Sequence, residues 1–278
     1  MKRLIPLIAA LLFAGATSTF AQSFDFSAYQ RRLVVPVAGS IRAADGSRFK
    51  TSLRLTLPPK PSDTHVVSGL IVFHPQGLPM SDNDPSVPYS LTYAPLLAQT
   101  VYFDDVVGEM GLSGLGTLDI IPDQSSNGVV PLVEARIVND KNGYINGDSV
   151  AVLKGSEAFP ATIGRIYRFP VFDQARARVN VGVRTYGPEG VLLGIDISGY
   201  AGTVRHIQRY IEPNTFRHMS LYEFVGGQEV ADGETITVLA SAPDRNSNAL
   251  IYYTITENST NDPTVIVAPS YRDQTVNP

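Results

Sequence analysis

Apolar and polar positions alternate along much of this chain. Leu53, Leu55 and Leu57 are separated by Arg54 and Thr56, and Val179, Val181 and Val183 by Asn180 and Gly182. A period of two sends successive side chains to opposite faces of an extended segment, so each run predicts a strand with one buried and one wet face. Comparable runs fall at residues 33–37, 52–57, 66–74, 90–93, 100–103, 116–121 and 129–138, and again at 179–183, 191–197, 204–210, 215–221, 234–239 and 249–256. Gly, Pro, Asn and Asp bound them. No long helical period occurs after residue 21. The predicted fold class is all-β, built from antiparallel sandwiches of Ig-like or jelly-roll-like type.

The two halves of the pattern align. Residues 48–55 match 176–183, and 68–73 match 189–194. A strand, a proline turn, a strand and a short segment ending in Gly recur at 93–108 and 210–226, and two further strands follow each. One strand set cannot bury its apolar face alone, so each copy closes on itself or the two pack together. The pattern predicts two small sandwich domains in tandem, at 33–145 and 164–269, with a linker or bridging strand at 146–163. An N-terminal extension at 22–32 and a disordered tail at 270–278 flank them; the alternative is one large sandwich. Residues 104–108 predict a one-turn helix capped by Asp104, or a tight loop.

The first residues bear on compartment. Lys2 and Arg3 precede an apolar stretch at 4–16, and a small-residue segment ends at Ala21. That layout predicts a secretory signal peptide cleaved after Ala21, hence export to the periplasm or the cell exterior. The remaining chain of about 257 residues holds no later apolar stretch of membrane-spanning length. With 22 Lys and Arg against 26 Asp and Glu, the formal charge is −4, and loss of Lys2 and Arg3 takes it to −6. Nucleic acid is disfavoured as a partner, since its recognition needs a basic stripe. The chain has no Cys and no Trp, but 13 Tyr and 12 Phe. Thiol nucleophiles and thiolate metal sites are excluded.

The segment Val35-Pro36-Val37-Ala38, followed by Asp45-Gly46-Ser47-Arg48-Phe49-Lys50-Thr51-Ser52-Leu53-Arg54-Leu55, resembles the start of a group of uncharacterised secreted bacterial proteins with tandem β-sandwich-like repeats. Glu257-Asn258-Ser259-Thr260-Asn261-Asp262-Pro263-Thr264 with Val265-Ile266-Val267-Ala268-Pro269 is similar to their closing strand, and Phe49 and Asn180 keep two of their usual positions. Residues 57–61 depart from the polar turn usual there. The resemblance implies fold and export and adds nothing on chemistry.

Candidate chemistry is sparse. His65, His74, His206 and His218 show no ligand spacing, although His206 and His218 are placed to face each other across a hairpin turning at Pro213. Calcium is the metal alternative to a cofactor-free protein, with oxygens offered by Asp140 and Asn142 and, at the matching strand end, by Asn261 and Asp262. The same residue types serve ordinary turns. Asp82 and Asp84 stand in a long loop, where binding function concentrates. Asp104, Asp105 and Glu109, with Glu223 at the second copy's matching place, supply carboxylates for glycoside hydrolysis or for capping. No Gly-x-Ser-x-Gly elbow occurs. Arg176 and Arg178 share a strand face that suits an acidic glycan or carboxylates of the first domain. The leading expectation is a non-enzymatic binding, adhesion or cell-surface structural protein, with a glycan or protein partner. The alternatives are a carbohydrate-active hydrolase using paired carboxylates and a matrix component that self-associates through edge strands.

Overall fold

The computed structural model describes residues 32–43, 46–56, 68–78, 90–93, 100–123, 130–141, 144–158, 165–171, 173–199, 202, 204–244 and 247–272. The signal segment, Asp82, Asp84 and Asn142 lie outside them. The protein is all-β, with several antiparallel sheets. In the first half these are β1 (Leu33–Arg42), β2 (Arg48–Thr56), β3 (Gly69–Pro75), β4 (Ser90–Tyr93), β5 (Thr100–Phe103), the one-turn helix α1 (Val106–Glu109), β6 (Gly114–Pro122), β7 (Leu132–Lys141), β8 (Tyr144–Val150), β9 (Leu153–Lys154) and α2 (Gly155–Ala158). The second half holds β10 (Arg165–Pro170), β11 (Ala177–Tyr186), β12 (Val191–Ser198), β13 (Val204–Ile211), β14 (Phe216–Ser220), α3 (Leu221–Phe224), β15 (Thr235–Ser241), β16 (Asn248–Glu257), β17 (Pro263–Val267) and β18 (Ser270–Arg272).

The pairings of the two halves correspond strand for strand. β2 takes β5 and β7 as neighbours, and β11 takes β14 and β16. β3 pairs with β4 and β6, as β12 does with β13 and β15. β1 pairs with β6 and β9, and β10 with β15 and β18. One difference matters. Ser40 to Arg42 of β1 also pair with Lys50 to Arg48 of β2, which joins the first half into a single nine-stranded sheet. In the second half the strands form a five-stranded sheet, β13-β12-β15-β10-β18, and a four-stranded sheet, β14-β11-β16-β17. Pro36 has no amide hydrogen to give the ladder, and the register of β1 against β6 slips between Val35 and Ala38.

The turn at Pro213, expected to close a hairpin, instead carries the chain from one sheet to another. β13 lies in the five-stranded sheet and β14 in the four-stranded one. His206 and His218 are therefore on different sheets, and His206 contacts Asp196 at 2.6 Å. Asn214 takes a left-handed conformation at this crossing, with φ of 49°, and its side chain accepts from Gly187 N at 3.1 Å. The helix cap is Asp105, not Asp104. Asp105 accepts from Gly108 N at 3.0 Å, whereas Asp104 faces outward and takes the Lys50 ammonium at 2.6 Å. β8 continues to pair with β7 as far as Val150, and Ser270 to Arg272 pair with β10 rather than belonging to a free tail.

Alternation decides which face packs where. Val179, Val181 and Val183 of β11, with Ala249, Ile251 and Tyr253 of β16, join Leu193, Ile195 and Val238 of the five-stranded sheet in one core. Leu53, Leu55, Ile71, Phe73, Leu118 and Ile120 form the core of the first half. Phe216 and Tyr252, from the opposite face of the four-stranded sheet, pack into that second cluster. The four-stranded sheet is thus the middle layer, buried on both faces. This is why residues 248–254 of β16 are buried without a break.

Candidate functional site

A buried ionic knot fastens the layers. Asp119, on β6, has no solvent exposure. Arg184 of β11 grips it with two hydrogen bonds, of 2.6 and 2.7 Å, and Arg32 donates a third at 2.7 Å. His74 Nε2 lies 3.1 Å from the carboxylate, and the Tyr186 hydroxyl donates to it at 3.1 Å. The Arg184 guanidinium also covers the Tyr186 ring, 4.1 Å from its centroid. Burial alone pushes the Asp119 carboxyl up, but attraction from Arg184, His74 and Arg32 outweighs it and holds the group well below the usual carboxylate range. Arg32, His74 and Arg184 are themselves buried, so the cluster is closed to substrate and acts as a joint between β6 and β11.

The middle layer presents a second arrangement. Gly182 of β11 pairs with Tyr252 on one side and His218 on the other, so the three residues form one rung. A Cβ at Gly182 would stand 2.0 Å from the Tyr252 ring. The missing side chain lets that ring lie across β11, and its hydroxyl reaches His218 Nδ1 at 3.0 Å. No other hydrogen bond reaches the Tyr252 hydroxyl among the described residues. The Tyr252 hydroxyl and His218 Nδ1 share this bond, its direction set by the imidazole tautomer. Burial lowers the His218 pKa to about 4, so the ring is neutral at neutral pH. Beside this rung, a slot of about 250 Å³ separates the middle layer from β1, β2 and β7.

The same rung exists in the first half, where nothing covers it among the described residues. Arg54 of β2 pairs with Tyr102 on β5 and with Glu134 on β7. Arg54 donates to Glu134 at 3.2 Å. Tyr102 is 57% exposed and Leu132, one rung away, 65%. The next rung carries Ser52, Arg136 and Ser149. Ser52, Arg54, Tyr102, Glu134, Arg136 and Ser149 line an open groove of about 640 Å³ on the outer face. Arg136 donates to the Gly147 carbonyl at 3.3 Å and meets no carboxylate among the described residues.

The residues singled out in the sequence scatter over this framework. Asp105 is buried, capping α1 while accepting from Ser40 Oγ at 2.8 Å and from Arg48. Glu223 is exposed on α3, in the other half. Arg176 is exposed beside Asp173. Arg178 lines the slot and donates to Asn261 Oδ1 at 2.8 Å. The strand ends carrying Asp140 and Asp262 do meet, since Asn139 Nδ2 donates to the Asn261 carbonyl at 3.4 Å. Among the described residues no three His, Cys, Asp or Glu side chains gather as a metal site. Sequence reasoning passed over Asp119, Arg184, Tyr252 and Tyr102. Asp119 was detectable as one acid inside the apolar run Leu118-Asp119-Ile120-Ile121.

No family model matches the chain, and no curated protein matches it. A solved structure, a lectin from Pleurotus ostreatus in complex with GalNAc, aligns over 86% of this chain and 85% of its own, at 11% identity and a TM-score of 0.20. No helix among the described residues is long and apolar enough to cross a membrane.

Proposed function

We propose that this is an exported carbohydrate-binding protein of two tandem β-sandwiches, which holds an acidic saccharide on the open face of β5, β2, β7 and β8. The observation that carries the reading is the groove in which exposed Tyr102 stands beside the Arg54–Glu134 pair and Arg136. A sugar ring offers an apolar C–H face and a rim of hydroxyls. An exposed phenol ring supplies the matching apolar surface, and paired Arg and Glu side chains supply donor and acceptor for vicinal hydroxyls. Arg136 is free to take a uronate carboxylate by a charge-assisted bond. Glu134 is held by Arg54, so the groove fits holding a saccharide rather than cleaving one.

The tandem reading rests on the matched strand pairings and on a repeated contact. Gly69 lies against Tyr93 in the first half, and Gly190 against Tyr210 at the corresponding place in the second. The test is calorimetric titration with uronic-acid oligosaccharides and with neutral oligosaccharides of equal length. The acidic series binds, Tyr102→Ala weakens it about tenfold, or about 1.4 kcal/mol, and Arg136→Gln removes the preference for acid. Equal binding of both series by wild type, or affinity unchanged in Tyr102→Ala, refutes the proposal.

A further inference from the structure

We infer that the slot between the middle layer and β1, β2 and β7 is a second binding site, built for a small amphiphile with an apolar body and a carboxylate head. Its two walls differ in chemistry. Val37, Ala38, Ile41, Phe49, Leu115 and Ile137 give the wall from the first half its apolar surface, beside Lys50 and Thr51. Asn180, His218, Thr254 and Thr256 make the facing wall. The polar wall is one continuous strip across three strands, because Asn180 pairs with Thr254, Arg178 with Thr256 and Gly182 with His218. All of these side chains point to the same face of the sheet, away from its valine core.

The polar strip is unusual in being left without partners. Among the described residues, no hydrogen bond takes up His218 Nε2 or the side chains of Asn180, Thr254 and Thr256, although Thr254 and Thr256 are 4% and 6% exposed. Their polar atoms open onto the slot rather than being sealed away from it, so they stand available to a ligand that enters it. Tyr252 fixes the ring of His218 through Nδ1 and leaves Nε2 on the side away from that contact. At the mouth stands Arg178, whose partners are the neutral amide oxygens of Asn261 and Asn258. Its positive charge is hydrogen-bonded but not neutralised there. Lys50, by contrast, is paired with Asp104 and offers no spare charge. A cation at the rim, neutral donors along one side and hydrocarbon along the other select an anionic head on an apolar body. The size follows from the volume. A cavity of about 150 Å³ holds benzene, so about 250 Å³ takes one ring with a short acid-bearing chain.

The site is distinct from the saccharide groove, with which it shares no lining residue. The test titrates the full chain with 3-phenylpropionate and with 3-phenylpropanol, its uncharged counterpart, followed by calorimetry and by the NMR signals of the His218 ring. The acid binds saturably and about tenfold more tightly than the alcohol, the His218 signals shift with both, and Tyr102→Ala changes neither. Arg178→Gln, at an exposed position, equalises acid and alcohol, while Thr254→Phe fills the slot and abolishes both. No saturable binding of either probe overturns the inference. So does binding that leaves the His218 signals unmoved, or an acid preference that persists in Arg178→Gln.

Discussion

Asp119→Asn keeps the volume of the side chain while removing the negative charge from the joint between β6 and β11. In the native protein that charge is met by two guanidinium groups at 2.6–2.7 Å, by His74 and by the Tyr186 hydroxyl, with no solvent exposure. Two partly compensated cations then remain in a low-dielectric interface. Breaking a buried pair from one side costs about 3–5 kcal/mol, a large part of the roughly 5–15 kcal/mol that holds a domain folded. At this chain size that is a fall in Tm of about 6–20 °C. The assay is urea denaturation followed by far-UV circular dichroism and by tyrosine fluorescence, which is clean because the chain has no Trp. Since the knot ties one half to the other, the variant is expected to show two resolved transitions where wild type shows one. Asp119→Leu combined with Arg184→Met recovers most of the loss, because an apolar pair leaves no charge to compensate. A loss below about 1 kcal/mol in Asp119→Asn, or additive losses at Asp119 and Arg184, refutes the reasoning.

Three further outcomes follow from the geometry. His218 is held neutral with its pKa near 4 against about 6.5 unfolded, so its contribution is complete above about 6.5 and disappears as pH falls to about 4. The loss reaches about 3 kcal/mol, and a pH series of urea midpoints shows it vanish in His218→Gln. Asp119 acts in the adjoining window: its depressed pKa gives stability present above the unfolded value of about 3.9 and lost as pH falls through the folded one, which acid titration of Asp119→Asn against wild type isolates. Gly182→Ala drives a methyl into the Tyr252 ring, costs about 1–3 kcal/mol or more by overpacking, and breaks the contact to His218, visible as a changed His218 ring signal in NMR.

Most strands could be read from local alternation, though β8, β9, β10, β17 and β18 were not among the runs it predicted. Leu53 and Leu55 go inward and Arg54 outward, as do Val179 to Val183 against Asn180 and Gly182, because a period of two is a property of a few neighbouring residues. Which arginine meets a carboxylate of the other half could not be read in this way. Arg176 and Arg178 had the expected spacing, yet Arg184 makes the bond, to an acid 65 residues earlier. The wet face of β11 could be recognised in the sequence, but its covering could not. In the first half the same rung, Tyr102-Arg54-Glu134, stays open to solvent, while in the second His218-Gly182-Tyr252 is roofed by another layer. Alternation names the two faces of a strand; only the packing of one sheet on another decides whether the polar face meets water, a ligand or the rest of the chain.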